Sequence, residues 1–127
     1  MSDSTTRGVR VQVSSRYLPE HSDPSARMWM FAYRVTLTNV GKVPVQLRSR
    51  HWVITDATGH EEHVRGPGVV GEQPRLQPGE TFSYSSGCPL RTSMGTMHGT
   101  YQMLTDEGEG FDAVIAPFTL ADPLSIN

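Results

Sequence analysis

The stretch RGPGVVGEQPRLQPGE, Arg65 to Glu80, decides how the rest of the chain is read. Its glycines at 66, 68 and 71 spell G-x-G-x-x-G, the spacing of a loop that wraps a dinucleotide pyrophosphate. Such a loop works only where a buried parallel strand delivers it to a helix N-terminus, whose N–H groups and dipole hold the phosphates. The preceding residues, GHEEHVR, are too polar for a central parallel strand. Pro74 and Pro78 interrupt what should be the helix, and interior prolines cost about 3 kcal/mol each. An acidic residue about 20 positions further on should hold the ribose, yet no Asp or Glu lies between Glu80 and Asp106. The glycines therefore read as a turning loop outside any dinucleotide fold.

Outward from this loop, period-two alternation recurs and helical periodicity is never sustained. Val9, Val11 and Val13 alternate with polar residues as an edge strand. In MWMFAYRVTLTN, Trp29, Phe31, Tyr33, Val35 and Leu37 share one face. After the turn NVGK (39–42), Val45 and Leu47 point inward while Gln46, Arg48 and Arg50 alternate outward. Continuing that phase would expose Trp52 and Ile54, so a β-bulge near Ser49–His51 is predicted. Further strands follow at His60–Val64, around Phe82 and Tyr84, over Met97, Gly99, Tyr101 and Met103, and over Phe111, Ala113 and Ile115. Pro117 marks an edge or a bulge. Seven to eight short strands with turn signals between them predict an all-β, two-sheet antiparallel sandwich. Residues 9–122 form the single domain in this reading, with a flexible N-terminal tail at 1–8 and a C-terminal tail at 123–127.

Composition narrows function by exclusion. At 127 residues and net charge −2, the chain has no general attraction for nucleic acid or acidic membrane. Its basic residues are ten arginines and Lys42. Cys88 is the one cysteine, which excludes an intrachain disulfide and a Cys-rich zinc site. The polar start MSDSTTRG and the lack of a long apolar run predict a cytoplasmic protein with no membrane span. HEEH (60–63) lacks the four-residue spacing of a helical zinc motif, and residues three apart on a strand face opposite ways. Cys88 with His98 lacks a third orienting group, and no G-x-S-x-G elbow is present. No catalytic, cofactor or metal residue is assigned.

Five blocks in order, SRYLPEHSDP (15–24), FAYRVTLTNVG (31–41), VQLRSRHWVITDATG (45–59), GPGVVGEQPRLQPGE (66–80) and MHGTYQML (97–104), resemble the bacterial ApaG family, also called CorD. The likeness spans about Val9 to Leu120. It implies a fibronectin type III-like or immunoglobulin-like sandwich and carries over no catalytic residue. It also implies an association with cobalt resistance and magnesium efflux. Genes of the family tend to lie beside those for a diadenosine tetraphosphatase and an rRNA dimethyltransferase. Similar eukaryotic domains occur in an F-box protein and a polymerase-interacting protein, which points to protein binding, although fold alone licenses no function.

Three readings follow. The first is a non-catalytic module, a monomer or weak homodimer, that meets an unknown protein partner. Its contact loop comprises Arg65, Gly66, Gly68, Val69, Val70, Gly71, Glu72 and Gln73, helped by the loop at 17–24. The same stretch could equally be a crossover in which Val69 and Val70 plug the core and Gln73 ties down backbone. In the second, the glycyl N–H groups form a nest for phosphate or a dinucleoside polyphosphate, with Arg65 as the near cation. The third is a divalent-ion sensor, for which His21, Asp23, His60, Glu61, Glu62 and His63 are the available ligands.

Overall fold

The computed structural model describes residues 1–125 as two packed antiparallel sheets. One sheet holds β1 (Ser2–Thr6), β2 (Val9–Tyr17), β3 (Trp29–Asn39) and β7 (Thr81–Leu90), hydrogen-bonded in the order β1-β2-β3-β7. The other runs β5 (Glu61–Pro67), β4 (Val45–Asp56), β8 (Met94–Thr105), β9 (Gly110–Ala121), with the two-residue β6 (Arg75–Leu76) also paired to β4. Among the described residues the helical segments are single 3-10 turns at Pro19–His21, Pro24–Ala26 and Pro123–Ser125. No helix among them is long and apolar enough to cross a membrane. The sandwich expected from alternation is present, with nine strands among the described residues rather than seven or eight.

The first eight residues differ from the expected tail. Ser2–Thr6 pairs along its length with Val9–Val13, and Ser2 is buried. A two-residue turn joins the strands, with Arg7 at φ 46° and Gly8 at φ 84°. Both central residues of a type I′ hairpin turn need positive φ, which Asn or Asp meets more easily than Arg. Here Arg7 is held by an ion pair with Glu109 and by the Phe111 ring, 4.9 Å from its guanidinium carbon. Side chains then close this flank of the sandwich: Thr6 Oγ1 accepts from the Val114 N–H at 3.1 Å, and Ser15 Oγ donates to the Thr119 carbonyl at 2.9 Å. The expected C-terminal tail begins with the 3-10 turn at Pro123–Ser125, and its last two positions lie outside the described residues.

The anticipated bulge exists, one residue earlier than expected. Leu47 pairs with Met103 and Ser49 with Gln102, which leaves Arg48 as the extra residue of β4. The slip puts Trp52 inward, where it is buried against Tyr33, Tyr101 and Phe118 at ring-centroid distances of 5.3, 6.2 and 5.9 Å. Tyr33 belongs to the opposite sheet, so Trp52 joins the two layers; the Tyr84 and Tyr101 hydroxyls bond to each other across the same interface. The slip also reverses Arg50, which was expected on the outer face. It shares its side with Trp52 and turns to the margin between the sheets.

A second slip lies where Met97 pairs with Phe118 and Gly99 with Ile115. The extra residue is in β9 beside Pro117, so the proline sits on an edge strand and at a bulge together. Burial of Ile115 is followed by burial of Phe118 and Leu120. At Gly99 a Cβ would lie 2.0 Å from the His51 carbonyl oxygen, because β8 lies close against the His51–Trp52 backbone of β4. Gly99→Ala is expected to cost about 3 kcal/mol, through overpacking against backbone that cannot yield. Gly110→Ala, where the added Cβ meets its nearest atom at 3.8 Å, should be near neutral. Urea denaturation of both variants checks this; equal midpoints would contradict it.

Candidate functional site

Three strand features build the glycine loop. β5 pairs antiparallel to β4, with Arg50 opposite Gly66 and Ser49 opposite Pro67. The chain then leaves the ladder, turns back, and returns as Pro74–Leu76 beside the start of β4. Because Arg48 is extruded at the bulge, its carbonyl is free of the β8 ladder and accepts two bonds from the loop. Gly68 N–H donates to it at 2.9 Å and Gln73 Nε2 at 2.8 Å. Arg50 completes the anchor: one guanidinium nitrogen donates to the Pro67 and Gly68 carbonyls at 3.1 and 2.9 Å. A Cβ on Gly66 would stand 3.1 Å from that guanidinium, close enough to push it from its place. Gln46 Nε2 adds a bond to the Gln73 carbonyl at 3.1 Å, and Leu47 N–H one to Pro74 at 3.0 Å.

The tip is a tight reversal. Val69 N–H donates to Glu72 at 2.8 Å, and Glu72 N–H returns to Val69 at 2.9 Å. Val70 and Gly71 occupy the turn with φ 44° and 81°. Val69 is 1% exposed and belongs to the core, whereas Val70 is 57% exposed. Positive φ is an outlier for a β-branched residue, costing on the order of 1–3 kcal/mol. At Gly68, φ is 61° and a Cβ would lie 2.3 Å from the Glu72 oxygen.

The loop therefore divides the roles left open by the sequence. Val69 plugs the core and Gln73 ties down backbone, while Arg65, Val70, Gly71 and Glu72 are exposed. No helix follows Gly71, and β5 is antiparallel, so the dinucleotide frame is absent as expected. The N–H groups of Gly68, Val69 and Glu72 are already spent on carbonyls of the chain itself. The 17–24 loop does not join this surface. Tyr17 and Pro19 line a groove with Ala121–Leu124 at the far part of the sandwich, and just beyond the loop Ala26, Arg27 and Met28 line a cleft of about 410 Å³ with Ile54, Asp56 and Leu90. Ile54 lies six positions along β4 from Arg48, roughly 20 Å on an extended strand.

A histidine chain on the outer face of the β5-β4-β8 sheet was not foreseen. His51 Nε2 lies 2.8 Å from His63 Nδ1, and His63 Nε2 lies 3.0 Å from Glu61 Oε1. The bulge that buries Trp52 also turns His51 outward, so the pairing was hidden until register was known. His60 is instead tied to the turn before β5, its N–H donating to Asp56 Oδ1 at 3.1 Å. Among the described residues no three His, Cys, Asp or Glu side chains are grouped to hold a metal ion. Desolvation first, then the positive Arg65 and the neighbouring His63 and His98, hold the His51 pKa below its ordinary 6.5. Burial pushes the Cys88 thiol up to about 11, with Glu62 adding to the shift, so it is a poor nucleophile at neutral pH.

Replacing Val70 with Asn, which accepts positive φ more readily, should stabilise the protein by about 1 kcal/mol in chemical denaturation. An unchanged or lowered midpoint would mean that the turn carries no strain. His51 should titrate below 6.5 in imidazole NMR, and Arg65→Ala should move it upward. The folded-state pKa is depressed, so the unfolded chain takes up its proton first. The His51 contribution to stability is thus present above 6.5 and declines as pH falls through the folded value. A midpoint at or above 6.5 would contradict this.

Comparison with known proteins agrees with this architecture. The ApaG domain model matches residues 19–105. Protein ApaG of Dechloromonas aromatica is 50% identical over 127 residues, covering 100% of both chains. Protein ApaG of Thiobacillus denitrificans is 54% identical over 123 residues, 97% of each chain. The crystal structure of the putative ApaA protein from Bordetella pertussis superposes with a TM-score of 0.88 at 54% identity, covering 91% of this chain and 94% of that one. With the matched segment running from the turn after β2 to the end of β8, through the bulge and its anchored glycine loop, the chain belongs to the ApaG family.

Proposed function

We propose that this protein is a non-catalytic binding module that works in the cytoplasm and engages a protein partner through the tip of the glycine loop. The observation that carries this reading is Val70: an exposed apolar side chain, held at φ 44°, on a loop pinned at its base. Backbone strain persists only where the surroundings enforce it, and it gathers at sites that bind or react. Pre-ordering lowers the entropic cost of association. Glu72, exposed two residues beyond the valine, adds a charge beside it, suited to a small apolar pocket with a polar rim. The cobalt and magnesium association implied for ApaG proteins would then act through the partner rather than through metal held by this chain.

Phosphate capture by the same loop has less support, since three of its N–H groups are already occupied. Arg65 alone is a weak cation for a polyphosphate.

The test compares affinity capture from native extract by the wild type, Val70→Asp, and Thr58→Asp in the remote turn after β4. The partner should be retained by wild type and Thr58→Asp and lost by Val70→Asp, with no drop in Tm for Val70→Asp. Capture of the same proteins by all three would overturn the reading. Saturable amide shifts confined to residues 65–73 on adding diadenosine tetraphosphate would favour the nucleotide alternative instead.

A further inference from the structure

The cleft of about 410 Å³ beyond the 17–24 loop has walls from two different sheets. One wall is the end of the β3–β7 pair, where Met28 leads into β3 and Arg91 follows Leu90, the last residue of β7. Arg27 and Arg91 give this wall two guanidiniums. The other wall is β4, β5 and the turn between them, which present Asp56, His60 and Glu62. Between the walls the lining is apolar, with Met28 and Ile54 half-buried and Leu90 buried. An apolar lining with a few placed polar groups is the common form of a small-molecule site.

Glu62 stands out by its position. In the β4–β5 register it lies opposite Ile54, as Val64 lies opposite Trp52. Ile54 and Val64 pack against the core, so Glu62 takes the inner face of its strand, where a sandwich normally places apolar residues. The Cys88 thiol, on the opposite sheet, feels its negative charge.

These charges do not cancel within the chain. Among the described residues, Arg27, Asp56, Glu62 and Arg91 enter no ion pair. Both walls are nevertheless held in place. Arg27, at φ 56°, belongs to a reversal closed by Asp23 and Met28, whose N–H groups donate to each other's carbonyls at 2.8 and 3.0 Å. Asp56 Oδ1 accepts from the N–H groups of Thr58 and His60 at 2.9 and 3.1 Å, and the Ala57 N–H ties the same turn to Thr92 Oγ1 at 3.1 Å. Cations on one fixed wall and carboxylates on the other suit a molecule that carries both signs on a small apolar body, and the fixed walls lower the entropic cost of taking it. We propose that this cleft binds a small zwitterion, a free amino acid or a short peptide with unblocked ends, its ammonium held by Asp56 and Glu62 and its carboxylate by Arg27 and Arg91.

Amide NMR titration with leucine and with alanyl-leucine tests this. One of the two should give saturable shifts at residues 26–28, 54–62 and 90–91. Saturation by leucine would assign the site to amino acids, and saturation by alanyl-leucine alone to peptides. N-acetylation or C-amidation of the binding probe should weaken it about tenfold, because each leaves one wall unanswered. Glu62→Gln and Arg91→Gln should each do the same without lowering the Tm of the free protein. Glu61→Gln, on the outer face of the same strand, should leave the affinity unchanged. No saturable shift from either probe up to about 10 mM would overturn the proposal. Equal binding of the acetylated and amidated forms would overturn it too, since the cleft would then hold an apolar body alone.

Discussion

The extra residue at Arg48 is the constraint on which this structure turns. A strand with a period of two has no freedom to correct its phase except by inserting or omitting a residue. Before the insertion, Val45 and Leu47 face the core; after it, Trp52 does. Without the insertion, the indole that joins the two sheets through Tyr33 would point to solvent and His51 would take its place. Trading a buried Trp for a buried imidazole would sacrifice several kcal/mol of apolar burial and add a desolvation cost.

The same insertion supplies the loop with its anchor. A bulged residue leaves its backbone out of the regular ladder, and buried or half-buried carbonyls seek another donor. The Arg48 carbonyl finds Gly68 and Gln73. Arg50, turned inward by the slip, finds the carbonyls of Pro67 and Gly68. The glycine loop is therefore an extension of the defect in β4, and its firmness lets Val70 stay exposed in a conformation that valine disfavours. Core packing, loop anchoring and the outward display of His51 beside His63 all descend from one unpaired position.

Much of this was legible in the residues. Alternation located the long strands, two prolines ruled out a helix after Gly71, and the conflict between Leu47 and Trp52 announced a bulge. The exact bulge residue was not legible, because moving it by one position preserves the same inward set from Trp52 onward. β1 escaped notice for two reasons: SDSTT carries no apolar face, and the Arg-Gly turn lacks the Asn or Asp that usually marks such hairpins. Its stability comes from contacts with Glu109, Phe111 and Val114, more than a hundred residues away. The His51–His63 pair was invisible for a similar reason, since cross-strand neighbours depend on register. In the glycine loop, spacing alone could not separate Val69 from Val70; only the tight turn between them sends one into the core and the other to solvent.

The bond between Gly68 N–H and the Arg48 carbonyl is the most direct point at which to test this account. A trans-hydrogen-bond NMR coupling experiment on labelled protein reads it without a mutation. A resolved coupling between the Gly68 nitrogen and the Arg48 carbonyl carbon is expected, with the Gly68 amide exchanging as slowly as the neighbouring amides of β4. Absence of that coupling, together with Gly68 exchange at the rate of an open loop, would contradict it.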